Sequence, residues 1–182
     1  MGVSNLNGRV IWITGLSGAG KSSLAVEVVK RFRANGKAVV MLDGDQLREI
    51  FGATVVDSEK FNRNARLSLA MQYSHLCRAI STQGLTVVIA TISLFKEVHL
   101  LNRKTLPGYF EVYLKVPMEE LRRRDSKNIY YRFDTGEINN VAGLDLIVDE
   151  PNDADWTPEF DKRRSVKELA DELLSLLSGK IL

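Results

Sequence analysis

The chain lacks the features of an oxidised, membrane-spanning or nucleic-acid-binding protein. It contains a single cysteine, Cys77, in 182 residues, so no intrachain disulfide can form, which is typical of a reducing cytoplasm. No apolar run approaches the roughly 18 residues that a membrane-spanning helix needs. The 25 basic and 23 acidic residues nearly cancel, so no general affinity for a polyanion is expected. We therefore expect a cytoplasmic protein that binds neither a membrane nor a nucleic acid.

The apolar residues that are present follow two alternating patterns. Short β-branched runs predict buried strands at 9–14, 38–42, 85–90 and 110–115. Helical spacing follows each run, at 21–35, 66–82, 95–104 and 117–124. A capping box at Ser165 and Glu168 opens a last helix, with an apolar stripe along Leu169, Leu173, Leu176 and Leu177. The alternation predicts one α/β domain over residues 1–182, a parallel sheet with helices on both faces.

One long stretch fits neither pattern. Residues 128–159 show no clear strand or helix period, and they follow on from the strongly charged segment 122–132. A long irregular stretch in a compact domain is often a lid or a binding loop. We therefore expect a basic lid at about 122–159.

A glycine-rich motif, GLSGAGKS, joins the first predicted strand to the first predicted helix. In the pattern G-x-x-x-x-G-K-[ST], backbone N–H groups surround phosphates, the lysine reaches the β- and γ-phosphates, and the hydroxyl ligates Mg²⁺. A chance glycine-rich turn is the alternative, but the strand–loop–helix context favours nucleotide binding. The residues predicted to bind ATP here are Gly15, Ser17, Gly18, Ala19, Gly20, Lys21, Ser22 and Ser23.

Two carboxylates follow the second predicted strand, in the run LDGDQLR at 42–48. At the carboxyl edge of a parallel sheet, Asp43 and Asp45 could hold Mg²⁺ or accept a proton from an attacking hydroxyl. Arg48, three residues later, could bind an anionic acceptor. The alternative is a turn in which an aspartate caps the next helix, and both interpretations remain open on these residues alone.

Five motifs together resemble the adenylylsulfate kinase family. They are TGLSGAGKSS at 14–23, LDGDQLR at 42–48, ATIS at 90–93, RDSKNIYY at 124–131 and GEINNVAGLD at 136–145, in the family's order and spacing. The resemblance implies a P-loop NTPase fold, usually a homodimer, that uses ATP and Mg²⁺. The family's reaction moves the γ-phosphate to the ribose 3′-hydroxyl of a small nucleotide acceptor, adenosine 5′-phosphosulfate.

The resemblance also implies individual roles. Asp45, with Asp43 beside it, matches the base or hydroxyl-orienting group, and Lys21 completes the catalytic set. Ser22 and Asp43 match the metal site, and Arg124 matches a lid cation over ATP. The residues matched to the acceptor site are Arg48, Phe61, Arg66, Ile92, Ser93, Lys127 and Val141.

Several acceptor residues depart from the family's pattern. Polar family positions fall on Leu69, Met71 and Gln72, and one of two aromatic rings that enclose the acceptor base falls on Val141. Two loop residues also differ, a proline and a glycine of the family being replaced here by Leu94 and Asn128.

These departures are similar to a subgroup represented by cytidine diphosphoramidate kinase. The sequence therefore predicts cytidine diphosphoramidate as the acceptor, in capsule modification. The alternative is adenylylsulfate itself, in sulfate assimilation. A small P-loop NTPase switch or a nucleotide-binding module is a distant alternative, which the basic lid and the intact catalytic residues disfavour.

Overall fold

The computed structural model describes residues 8–52, 62–125 and 127–179. In chain order its elements are β1 (Val10–Thr14), α1 (Lys21–Ala34), β2 (Val39–Asp43), α2 (Gly44–Ile50), α3 (Arg63–Ser81), β3 (Thr86–Ala90), α4 (Lys96–Thr105), β4 (Phe110–Tyr113), α5 (Met118–Arg124), α6 (Ile129–Asp134) and α7 (Val166–Gly179). No helix in these ranges is both long enough and apolar enough to cross a membrane.

The four strands form one parallel sheet in the order β2-β3-β1-β4. Alternate residues of β1 point to opposite faces, so Ile11 and Ile13 pack in one core cluster and Val10 and Trp12 in the other. The first cluster lies under α1 and α7, and the second under α3 and α4. The predicted parallel sheet with helices on both faces is therefore confirmed.

Cys77 packs in the second core cluster and is fully buried. Burial raises the pKa of its thiol to about 12, so the thiolate that reacts with oxidants and metals is scarce at neutral pH. This fits a packing role for the cysteine.

The expected lid segment contains more structure than its sequence pattern indicates. Residues 129–134 form the short helix α6. Farther on, Trp156 pairs with the edge strand β4: its N–H donates to the carbonyl oxygen of Glu111 at 3.1 Å, and its carbonyl oxygen accepts from Tyr113 at 2.9 Å. Its indole Nε1–H donates to Glu172 of α7 at 3.0 Å. The end of the segment is therefore part of the sheet's edge.

Two further details differ from the expected elements. Helix α2 follows β2 without a loop, because Asp43 caps it by accepting a hydrogen bond from the N–H of Asp45. In α7 the capping box between Ser165 and Glu168 is present, but Leu176 of the predicted apolar stripe is 40% exposed. The face of α7 that packs against the first core cluster consists of Leu169, Ala170, Leu173, Leu174 and Leu177.

Candidate active site

The glycine-rich loop lies between β1 and α1, at the carboxyl end of an inner strand. Its three glycines have positive φ, 147° at Gly15, 77° at Gly18 and 96° at Gly20. At Gly15 a Cβ atom would also lie 2.6 Å from the carbonyl oxygen of Leu114, so conformation and space both require glycine. The loop leads directly into the N-terminus of α1, whose N–H groups and dipole favour an anion.

Lys21, the first residue of α1, has its ammonium in this loop. Its Nζ donates to the carbonyl oxygen of Leu16 at 2.7 Å. Burial, the main cause, and the charge of Lys127 lower the pKa of Lys21 to about 7, although Asp43 acts in the opposite direction. An anion placed beside Nζ would favour the protonated form, so the lysine is suited to phosphate.

Ser22 and Asp43 bring the start of α1 and the end of β2 together. The Ser22 hydroxyl donates to Asp43 Oδ2 at 2.6 Å, and Asp43 Oδ1 accepts from the N–H of Asp45 at 2.9 Å. Asp43 therefore caps a helix and also faces the loop, so the two interpretations of this residue are compatible. No group of three or more metal-binding side chains occurs in the described part of the chain. A hydroxyl and one carboxylate still suit Mg²⁺, because it takes most of its ligands from phosphate and water.

Asp45 lines the same cleft, next to Asp43. Its carboxylate forms ion pairs with Arg48, one turn along α2, and with Lys127 of the lid segment. The Asp45 side chain is nevertheless 44% exposed, so its oxygens remain accessible from the cleft. The structure thus brings Asp45, Arg48 and Lys127 together as the sequence predicts.

The cleft between these groups has a volume of about 520 Å³. Its lining contains most of the predicted donor residues and both aspartates: Ser17, Gly18, Gly20, Lys21, Ser22, Ser23, Asp43, Asp45, Arg48, Ile92, Arg124 and Lys127. Ala19 lines an adjoining pocket of about 100 Å³, together with Phe160 and Arg124. The Arg124 guanidinium lies 5.6 Å from the Phe160 ring centroid and donates to the carbonyl oxygen of Gly18 at 3.2 Å. It therefore stands at the boundary between the two spaces.

A smaller pocket of about 30 Å³, here called the arginine pocket, also adjoins the cleft. Arg48 and Ile92 line both spaces, and Arg66, Leu69 and Ser93 line the pocket alone. Burial, together with the charge of Arg48, lowers the pKa of Arg66 to about 10. Two arginines whose charges disfavour each other are a suitable site for an anion, since an anion relieves the repulsion.

The loop after β3 forms one wall of this pocket and is held in a defined shape. Ser93 has a positive φ of 29°, and its hydroxyl lies 2.8 Å from that of Thr91. Thr14 donates to the carbonyl oxygen of Ile92. Both hydroxyls at 91 and 93 are buried, so this wall presents a preorganised polar pair to the pocket.

Other predicted residues lie outside the pocket lining. Val141 is buried in the first core cluster, Met71 packs against the second, and Gln72 is exposed. Leu69 is the altered polar position that reaches the pocket. Phe61 falls outside the described residues.

Asp145 holds the loop around Val141, a role that the sequence did not reveal. Its carboxylate accepts hydrogen bonds from the N–H groups of Asn140 at 2.7 Å and Val141 at 2.6 Å. Arg66 in turn donates to the carbonyl oxygen of Asn140 at 2.7 Å. The motif GEINNVAGLD contains Asp145, but only the fold shows that it connects this loop to the arginine pocket.

Tyr130 of α6 connects the lid segment to the phosphate loop. Its hydroxyl donates to the carbonyl oxygen of Ser17 at 2.9 Å, and the residue is 1% exposed. The sequence signal for this contact is the tyrosine pair in RDSKNIYY. The other tyrosine of the pair, Tyr131, is 65% exposed, and a helix of six residues is too short for periodicity to show which of the two is buried.

Several known proteins that are similar to this chain in sequence and fold are kinases. A family model described as adenylylsulphate kinase matches residues 7–158. The cytidine diphosphoramidate kinase of Campylobacter jejuni is 34% identical over 172 residues, covering 94% of this chain and 98% of that one. The adenylyl-sulfate kinase of Paraburkholderia xenovorans is 35% identical over 176 residues, covering 96% of each.

Solved structures agree with these relatives. The Mycobacterium tuberculosis APS kinase CysC in complex with AMPPNP and APS has a TM-score of 0.83 and 32% identity, covering 94% of this chain and 98% of that chain. A match over most of the chain in both sequence and fold establishes the family. The chain therefore belongs to the adenylylsulfate kinase family of P-loop kinases.

Proposed function

We propose that the protein transfers the γ-phosphate of ATP to the ribose 3′-hydroxyl of cytidine diphosphoramidate. The observation that carries this choice is Leu69, which lines the arginine pocket together with Arg48 and Arg66. An aliphatic side chain replaces a polar one there, while the two anion-binding arginines remain. The relative that is 34% identical over nearly its full length carries the same assigned activity in its name. A place in capsule modification follows from this proposal.

The donor half of the site holds MgATP in this proposal. The N–H groups of the glycine-rich loop and Lys21 bind the phosphates, and Ser22 and Asp43 hold Mg²⁺, which neutralises phosphate charge when bound. Arg124 extends over ATP from the lid. Their positions around one cleft, with Ser22 Oγ 2.6 Å from Asp43 Oδ2, support these roles.

The acceptor half uses Asp45 to orient the 3′-hydroxyl or accept its proton. Arg48 and Arg66 bind the anionic 5′ group, and Lys127 neutralises the phosphoryl group in transit. Asp45 suits this role better than Asp43, because Asp43 already binds Ser22 and caps α2. Arg48 lines both the cleft and the pocket, so an anion on it would lie close to Asp45.

A second candidate acceptor is adenosine 5′-phosphosulfate. The specific observation in its favour is that both arginines remain in the pocket, and the anionic oxygens of a phosphosulfate anhydride satisfy them as well as those of a phosphoramidate do. The adenylyl-sulfate kinase relative is also 35% identical over 96% of both chains, so overall similarity does not separate the two acceptors.

An ADP-release assay with candidate acceptors tests the proposal. Cytidine diphosphoramidate should give the highest kcat/KM, ahead of adenosine 5′-phosphosulfate and simple nucleotides. The reverse order would establish the second candidate. Turnover without any acceptor would indicate an NTPase, and no turnover with any of them would indicate a binding module.

The pKa of Lys21 predicts how ATP affinity depends on pH. Its value of about 7 in the free protein should rise when phosphates surround the ammonium, so binding above pH 7 requires uptake of a proton. MgATP affinity should therefore fall between pH 7 and pH 9, by at most about tenfold per pH unit. Calorimetry in buffers with different ionisation enthalpies measures the uptake. Lys21→Arg keeps its proton over this range, so an equally steep fall in that variant would contradict the prediction.

We also infer a cytoplasmic homodimer, on the family resemblance alone. Light scattering of the purified chain across a range of concentrations tests the oligomeric state, and a monomer at all of them would contradict it.

A further inference from the structure

Glu120 of α5 is a buried carboxylate in contact with several cations. Its side chain is only 3% exposed. It accepts from Arg123 Nε at 2.7 Å and Nη2 at 2.8 Å, and from Arg124 Nε at 2.8 Å. Lys162 Nζ, from the loop before α7, lies 3.5 Å from its Oε2. Arg123 first, and then Arg124, hold the pKa of Glu120 well below its usual range, so the carboxylate is ionised at neutral pH.

The three cations differ in what else they contact. The side chains of Arg123 and Lys162 are 66% and 63% exposed. Arg124 is 33% exposed, and its guanidinium faces the donor cleft, with Nη1 3.2 Å from the Gly18 carbonyl oxygen. Nε binds the carboxylate while Nη1 reaches the loop, so the planar guanidinium is fixed at both ends.

Without the carboxylate, this arrangement has no reason to persist. Arg123, Arg124 and Lys162 would then repel one another, and the flexible Arg124 side chain would lose its charged hydrogen-bond partner. The bond to the Gly18 carbonyl oxygen and the contact with the Phe160 ring would remain, and neither partner carries a charge.

We propose that Glu120 is a positioning residue that holds the Arg124 guanidinium ready at the ATP site. This inference rests on the proposed role of Arg124 in binding ATP. Glu120 lines neither the cleft nor the arginine pocket, and of its three cationic partners Arg124 is the one that lines the cleft. Glu120 also connects α5 to the loop that lines the pocket next to the cleft, through Lys162.

The test is a double-mutant cycle between positions 120 and 124, with MgATP binding measured by calorimetry without an acceptor. Glu120→Gln should weaken MgATP binding about tenfold, the size of one charge-assisted hydrogen bond. Arg124→Ala should weaken it at least as much. Adding Glu120→Gln to Arg124→Ala should change the dissociation constant less than twofold, because the arginine it positions is gone.

Arg123→Ala is the matched control, since it removes another partner of the same carboxylate and should change affinity less than twofold. Unfolding temperatures of all variants distinguish a folding defect, and Glu120→Asp, which keeps the charge, serves if the glutamine variant does not fold. Its binding should lie between that of the parent and that of Arg124→Ala.

Three results would overturn the inference, and each has a distinct meaning. Independent, multiplicative losses from Glu120→Gln and Arg124→Ala would show that Glu120 does not act through Arg124. A loss in Arg123→Ala equal to that in Glu120→Gln would point to the stability of α5 instead. Unchanged binding in Arg124→Ala would remove the proposed role of Arg124 itself, while ADP release with an acceptor would still report whether the proposed reaction stands.

Discussion

Lys21→Ala is expected to lower kcat/KM by about 10³-fold or more, the scale of removing a cation that stabilises charge on a transferring phosphoryl group. The Lys21 ammonium lies inside the glycine-rich loop, 2.7 Å from the Leu16 carbonyl oxygen, whereas Lys127, which also lines the cleft, is paired with Asp45. Steady-state kinetics with the preferred acceptor measures the loss.

The fold should tolerate this substitution. A lysine whose pKa is lowered to about 7 is disfavoured in its charged form by its surroundings, so the folded state gains nothing from that charge at neutral pH. The unfolding temperature of Lys21→Ala should therefore equal or exceed that of the parent. Near-normal turnover in a folded variant would contradict the assignment of the ATP site.

Asp45→Asn is expected to lower kcat by about 10²- to 10⁴-fold, the range for removing a general base, while MgATP affinity changes little. The amide is nearly the same size but cannot accept the proton of the 3′-hydroxyl, and it cannot pair with Arg48 and Lys127 as the carboxylate does. Single-turnover phosphoryl transfer separates this loss from changes in binding.

Asp43→Asn provides the comparison. Asp43 binds Ser22 and caps α2, and asparagine is an equally good N-cap, so its substitution should weaken Mg²⁺-dependent ATP binding while the unfolding temperature stays close to that of the parent. An unchanged kcat in Asp45→Asn, with a large loss in Asp43→Asn, would transfer the role of base to Asp43.

Asp43 shows that one residue can both cap a helix and face the cleft. On sequence alone, Asp43 was either a helix cap or a metal ligand, and the structure shows the cap together with the contact to Ser22. The two contacts are compatible because a carboxylate has two oxygens: Oδ1 accepts from the N–H of Asp45, and Oδ2 accepts from the Ser22 hydroxyl.

The interior also contains an acidic residue whose burial the strand pattern does not indicate. Glu111 stands in the run FEVYLK, where strand alternation gives no warning of a buried charge, yet it is 2% exposed. His99 Nδ1 lies 2.6 Å from it, and the hydroxyl of Tyr109 donates to it at 2.9 Å. Tyr109 is a local partner, but only the approach of α4 to β4 supplies His99, so the role of His99 could not be predicted.

The sequence by itself determined the strands, the longer helices and the conformation of the glycine-rich loop. These features depend on local physics: runs of apolar residues longer than one period, and eight adjacent residues whose loop conformation and helix N-terminus together make an anion site. The residues Gly15 to Ser22 therefore predict their own geometry, and the structure agrees with it.

Only the tertiary structure decided which residues line the arginine pocket and which residue reaches Glu120 from the loop before α7. The arginine pocket is assembled from α2, α3, the loop after β3 and the loop at 140–148, so which altered residue reaches it is a matter of packing. Leu69 does and Gln72 does not, although they are three residues apart in one helix. Lys162 likewise reaches Glu120 from a distant segment, and such contacts depend on how the elements pack and not on any local pattern.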